Sequence, residues 1–207
     1  MLSNQIGLWL NRVRYTIYTP IYNLVIQALQ KSRAEAISRL EIPPKAKILI
    51  VGAGTGKDLA FLPKDAEISA IDITPSMLSL LKAEALRTEH NVQTAVMDAA
   101  QLDYGDESFD LVLLHLILAV VPNPTGCITE ASRVLKTTGQ ISLFDKFVPE
   151  GQKASPLRKL ANLITRVLFS DISRSAEPYL QQGQLTKVSD QPAFLGGQFR
   201  HIVAKKA

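Results

Sequence analysis

Cysteine occurs once in the 207 residues, at Cys127, and histidine three times, at His90, His115 and His201. A single cysteine excludes an internal disulfide framework and a cysteine-rich zinc site. The histidines lie far apart and show no metal-ligand spacing, so no metal is expected. Aromatic residues make up only 6% of the chain, leaving little for the stacking platforms that single-stranded nucleic acid needs. No uninterrupted apolar run reaches ~20 residues, which argues against a spanning helix. The N-terminus lacks the early positive region and long apolar stretch of a signal peptide. What is present is a globular composition, 46% hydrophobic and 20% charged. It suffices for one α/β domain with a sizeable core. The expected location is the cytoplasm, with the protein soluble or peripheral at a membrane.

Charge is unevenly spread. Residues 45–150 hold 9 Lys/Arg against 14 Asp/Glu, whereas residues 1–44 hold 5 against 2 and residues 151–207 hold 9 against 3. An acidic middle thus sits between basic flanks. Such flanks suit an anionic membrane surface or a nucleic acid, or are simply solvated helix faces.

Strands and helices alternate along the chain. "KAKILIVGAG" (45–54) reads as a buried strand ending at glycine. "AEISAID" (66–72) and "NVQTAVMDA" (91–99) are strands ending in an acid, and "SFDLVLLHLIL" (108–118) is a fourth. A short helix over 56–62 stops at Pro63. A longer one over 74–89 has Thr74 as N-cap, Pro75 at its first position and an apolar face of Met77, Leu78, Leu81 and Leu86. A helix over 125–136 precedes strand 139–147, and segments 184–191 and 197–206 close the sheet as a terminal pair. The pattern predicts a Rossmann-like, seven-stranded, mostly parallel sheet with helices on both faces and an antiparallel end. Residues 1–44 read as an N-terminal helical cap broken near Pro20, and 45–207 as the main domain. Helix 155–169 is strongly amphipathic, with Arg158, Lys159 and Arg166 beside its apolar stripe.

The glycine segment "VGAGTGKD" (51–58) tests two phosphate-binding patterns. A P-loop requires glycine at 51 and a hydroxyl at 58, where the chain has valine and aspartate. The dinucleotide pattern requires its third glycine one residue later than Gly56. Glycines at 52, 54 and 56 still permit positive φ and close approach of a ligand to the backbone. The strand ends add to this. Asp72, ending the second strand, can accept both hydroxyl protons of a free ribose. Asp98 with the N–H of Ala99 can read an adenine by accepting from its amino group and donating to a ring nitrogen. Together these residues describe an adenosine site without a pyrophosphate.

The ordered segments "VGAGTG", "AIDITPSML", "VMDAAQLDYGDESFDLV" and "EASRVLKTTGQISLFD" resemble the class I S-adenosylmethionine-dependent methyltransferases over roughly residues 45–145. The resemblance implies S-adenosylmethionine as cofactor and S-adenosylhomocysteine as product. It implies that Gly52, Ala53, Gly54, Thr55 and Gly56 contact the methionine moiety and that Asp72 holds the ribose. It further implies that Asp98 and Ala99 read the adenine while Ile73 and Met77 pack against it. "HLILAVVP" would border the methyl group, making His115 a candidate base and a candidate cofactor contact. Ile50 stands where most relatives carry an acid, with Asp58 the acid that could replace it. No (N/D)-P-P-(Y/F) segment follows the fourth strand, which disfavours nucleobase amino groups and glutamine amides as acceptors.

Within that class, "YTPIYNLVIQALQKSRAEAI" (18–37) is similar to the N-terminal helix of the ubiquinone/menaquinone-type and bacterial phospholipid N-methyltransferases. Tyr18 and Tyr22 match its tyrosines and would orient the acceptor, or else pack in the core. The expected reaction is metal-free, in-line methyl transfer to a small, lipophilic or phospholipid head-group acceptor, with anionic membrane as a peripheral partner. A non-catalytic S-adenosylmethionine-binding protein of the same fold is the alternative. Oligomeric state is not readable from the sequence.

Overall fold

A computed structural model describes residues 29–147, 175–194 and 197–207. The strands are β1 (Lys47–Val51), β2 (Glu67–Asp72), β3 (Val92–Val96), β4 (Phe109–His115), β5 (Leu135–Lys146), β6 (Leu185–Phe194) and β7 (Phe199–Lys206). They form one seven-stranded sheet in the order β3-β2-β1-β4-β5-β7-β6. β1 to β5 are mutually parallel, and β7 runs antiparallel to both β5 and β6. The architecture is the doubly covered α/β sheet that the alternating pattern predicts.

Helices on both faces explain why the central strands are largely apolar. Helix α1 (29–38), the 3-10 turn Leu59–Phe61 and α2 (Pro75–Arg87) cover one face. There Ile37, Leu59, Leu78 and Leu81 pack with Ile48, Ile50, Leu111 and Leu113. On the other face, α3 (Pro124–Val134) and α4 (Glu177–Gln182) bring Cys127, Ile128, Ala131 and Leu180 onto Leu49, Val51, Val112 and Leu114. Each large aliphatic side chain so buried contributes about 1.5–3 kcal/mol relative to exposure.

Local details depart from the sequence reading in places. Thr74 occupies the N-cap of α2, but its side chain makes no capping bond. Instead its backbone N–H donates to Oδ1 of Asp72 at 2.9 Å. The buried face of α2 is Leu78, Leu81 and Ala85, while Met77 and Leu86 lie outward, 39% and 82% exposed. β5 begins at Leu135, directly after α3, because Phe109 pairs with Leu135 before a register shift leads to the Leu111–Gln140 pair. Helix 155–169, Tyr18 and Tyr22 lie outside the described residues.

Helix α1 runs antiparallel to β1. Arg33 meets Asp58, just past the carboxyl end of β1, and the Glu41 carbonyl accepts from Gln140. Ala36, Ile37 and Leu40 are buried. Residues 29–40, which the sequence reading assigns to the cap, therefore pack on the same sheet as the rest of the described chain. Arg33, within the described part of α1, thus sits at the end of the sheet where the glycine segment emerges.

Candidate active site

β1 and β4 are neighbours whose following connections lead to opposite halves of the sheet. Ligands of open α/β sheets bind in the crevice outside the strand carboxyl ends at such a switch point. One wall of this crevice is the loop 52–56. The other is the segment after β4, residues 116–121.

Gly52, Gly54 and Gly56 have φ of 64°, 54° and 75°, a region that costs side-chain-bearing residues energy. Their surroundings differ. A Cβ at Gly52 would collide with the side chain of Ile117. One at Gly56 would stand 2.9 Å from Cγ of Leu81. At Gly54 a Cβ would meet nothing within 4 Å among the described residues. The first and third glycines are thus required by packing. Gly54 faces the open crevice, where a ligand could approach the backbone. Ala53, between them, is buried and donates its N–H to the Ile71 carbonyl, while Thr55 is half-buried.

Asp72 ties this loop to the end of β2. Its Oδ2 accepts the Gly54 N–H at 2.9 Å and its Oδ1 accepts that of Thr74 at 2.9 Å. Each carboxylate oxygen has two lone pairs, so one on each remains for a pair of hydroxyls. Beyond it, Ile73 is 67% exposed, an unusual position for a large aliphatic side chain. With Met77 it offers apolar surface beside the ribose-binding acid. At the end of β3, Asp98 is exposed and its Oδ1 accepts the Ala100 N–H at 2.9 Å, while Ala99 is buried. The glycine loop, a two-hydroxyl acceptor, an apolar platform and a second carboxylate follow one another across the carboxyl ends of β1, β2 and β3. This sequence of surfaces fits S-adenosylmethionine.

The opposite wall is held by an acid that the sequence reading did not single out. Asp145, 1% exposed, accepts the N–H of Ala119 at 3.0 Å. Leu116, at φ 61°, takes a left-handed conformation that bulky residues rarely adopt, and its N–H donates to the Phe144 carbonyl at 2.7 Å. This sharp turn lays Ile117 across Gly52. An acid within the buried strand segment "ISLFDKF" was the available signal for Asp145.

His115, the last residue of β4, is 4% exposed. Its Nδ1 lies 2.8 Å from Oδ1 of Asp58 and its Nε2 lies 3.0 Å from Oγ of Ser142. Asp58 is itself buried, and its Oδ2 accepts from Nη1 of Arg33 at 2.6 Å. Burial works to raise the Asp58 pKa, but the charges and hydrogen bonds of His115 and Arg33 outweigh it and hold the carboxyl well below the usual range. Asp58 is therefore an acceptor, and His115 Nδ1 carries the proton donated to it. The Ser–His–Asp order and spacing match a nucleophilic triad, but Ser142 is 2% exposed inside β5 and no acyl group can reach it. Asp58 is likewise not available to replace the acid missing at buried Ile50, since its oxygens face Arg33 and His115.

Comparison with known proteins agrees with this geometry. Residues 49–143 match a family model described as a methyltransferase domain. The chain is 27% identical over 158 residues to a phosphatidylethanolamine N-methyltransferase of Cereibacter sphaeroides, covering 75% of this chain and 78% of that protein. It is 28% identical over 193 residues to a demethylmenaquinone methyltransferase of Tropheryma whipplei, covering 87% and 80%. Among solved structures, geranyl diphosphate C-methyltransferase from Streptomyces coelicolor A3(2), in complex with S-adenosyl-L-homocysteine, shares the fold with a TM-score of 0.68. It has 14% identity to this chain, with 86% of this chain and 80% of that one covered. Residues 49–143 carry a methyltransferase domain, and this match with its relatives supports an S-adenosylmethionine-dependent enzyme of the class I kind, with S-adenosylmethionine as cofactor.

Proposed function

We propose that the protein transfers a methyl group to a small lipophilic acceptor or a phospholipid head group. The observation that carries this is similarity over 75% and 87% of the chain to enzymes named for a phospholipid amine and for demethylmenaquinone. Bound S-adenosylmethionine supplies an electrophilic methyl group. The chain's own residues supply binding and orientation. Gly54 lets the backbone approach the cofactor closely, Asp72 and Asp98 hold its ribose and adenine, and Ile73 and Met77 cover the ring. Ala53, Thr55 and the flanking glycines shape the loop.

His115 has both ring nitrogens engaged in the interior, so its role is to position backbone rather than to exchange a proton with the acceptor. Tyr18 and Tyr22, in the sequence before α1, are the acceptor-side candidates on the family resemblance. The division at residue 44, with residues 1–44 as an N-terminal cap, remains our reading of the chain. Among the described residues no helix is long and apolar enough to cross a membrane. The basic flanks support peripheral contact with anionic lipid.

Incubation with isotopically labelled S-adenosylmethionine and either phosphatidylethanolamine vesicles or a demethylated naphthoquinol tests the acceptor. Label in one of the two lipids is expected. Label in neither, with protein that binds S-adenosylhomocysteine, sinks the lipophilic-acceptor reading. Co-sedimentation with anionic but not neutral vesicles is the expected membrane result.

A further inference from the structure

A polar seam lies buried beneath α1, linking Arg33, Asp58, His115 and Ser142. Its place matters more than its composition. Asp58 stands two residues past Gly56, where the glycine loop leaves the crevice. His115 stands immediately before Leu116, where the opposite wall begins. The bond between them is therefore a direct side-chain tie between the two walls, made across 57 residues of sequence. Asp72 braces the glycine loop, and Asp145 braces the segment after β4. Ile117 resting on Gly52 closes the same gap from the crevice side. We infer that Asp58 and His115 are positioning residues that set the spacing between the glycine loop and the post-β4 segment, and thereby the affinity for the adenosyl cofactor.

The physical case rests on cost. A wall free to shift must be ordered when the ligand binds, and that ordering subtracts from affinity. A buried bond to an ionised carboxylate removes the freedom in advance and is among the stronger hydrogen bonds available. Arg33 keeps Asp58 ionised and fixed from its other side. Ser142 holds the far nitrogen of the ring, which steadies the imidazole but joins no wall of the crevice. This inference rests on the assignment of S-adenosylmethionine to the crevice.

The test uses the full chain and S-adenosylhomocysteine in isothermal titration, alongside thermal unfolding. In H115N the amide nitrogen takes the place of Nδ1 and can still donate to Asp58. H115Q can reach Ser142 instead, and H115F keeps the ring volume but neither bond. Affinity within about threefold of wild type is expected for H115N. A loss of about tenfold or more is expected for H115Q and H115F. H115N opens the largest cavity of the three, so a purely structural histidine would give H115N the weakest binding. Equal affinity of H115F and wild type, or H115N as weak as H115F, overturns the proposal. If H115F does not fold, the double variant R33M/D58L removes the tie from its other end without leaving a guanidinium unpaired. It is expected to show the same loss, and wild-type affinity there would also overturn the proposal. Absence of any binding by wild type would defeat the cofactor assignment instead.

Discussion

Oδ2 of Asp72 accepts the backbone N–H of Gly54 at 2.9 Å, so the acid that ends β2 also fixes the middle of the loop that ends β1. The same carboxylate holds the amide of Thr74 and thereby the start of α2. One side chain thus couples the conformation of the glycine loop to the ribose position. In Asp72→Asn, one carboxylate oxygen becomes an NH2 that must face a backbone N–H. The expected outcome is loss of S-adenosylhomocysteine affinity by more than tenfold, with about 1–3 kcal/mol lost from stability. Titration calorimetry and urea unfolding measure the two separately. An Asn variant that binds as wild type would remove Asp72 from the site.

The glycines separate folding from binding. Gly52→Ala places its methyl group into Ile117, and Gly56→Ala places one 2.9 Å from Leu81, each at positive φ. Both are expected to destabilise by well over the roughly 1–2 kcal/mol that a left-handed residue costs alone. Gly54→Ala meets no described neighbour, so only that conformational cost applies. It should fold, yet its methyl group projects into the crevice and should weaken S-adenosylhomocysteine binding at least tenfold. A Gly54→Ala protein with normal affinity would show that the cofactor does not approach this face of the loop.

Much of this organisation was legible in the sequence, for identifiable reasons. β1, β2 and β4 are short, mostly apolar runs, a pattern that a doubly covered parallel sheet imposes. Asp72 and Asp98 could be picked out because strand ends lie at the ligand side of such sheets. Other features depend on contacts that sequence order hides. Asp58 and His115 meet because β1 and β4 are spatial neighbours, and Arg33 joins them only because α1 packs back across the sheet. Met77 satisfies the helical spacing of α2 but lies 39% exposed, because the buried face of the helix is centred on Leu78, Leu81 and Ala85. α4 spans only Glu177–Gln182, too short for any periodicity to show.

Another buried histidine makes stability depend on pH. His201 on β7 is 3% exposed, and Nη1 of Arg39 lies 3.3 Å from its Nδ1. Burial foremost, then the charges of Arg39 and His115, push its pKa down to about 4, against an opposing contribution from the Ser32 backbone. The unfolded chain, with a histidine near 6.5, binds the proton first. Stability is therefore complete above about pH 6.5 and declines as pH falls toward 4, by at most roughly 3 kcal/mol. Asp58 adds a separate loss only at more acid pH, below the unfolded carboxylate value of about 3.9. His201→Gln keeps an acceptor for Arg39 and removes the titration. Urea unfolding at pH 7 and 4.5 should show a smaller drop for the variant than for wild type. Equal drops would place the acid sensitivity elsewhere.

Cys127 supplies a reporter for the core on the other face. It is fully buried in α3, among Leu49, Val51 and Leu114 of the same cluster. Burial, and secondarily the charge of Asp98, push its thiol pKa up to about 12. The thiolate is the reactive form, so both access and ionisation protect it in the folded protein. Iodoacetamide at pH 8 is expected to leave the native chain unlabelled over hours, and to label it rapidly in denaturing urea. With S-adenosylhomocysteine present, labelling at intermediate urea should slow, because a ligand bound only to the folded state lowers the unfolded population. Gly54→Ala should label faster than wild type without ligand, in line with its conformational cost of roughly 1–2 kcal/mol, and show little slowing with it. Rapid native labelling of wild type would mean that α3 opens independently of the sheet, contrary to its buried seat.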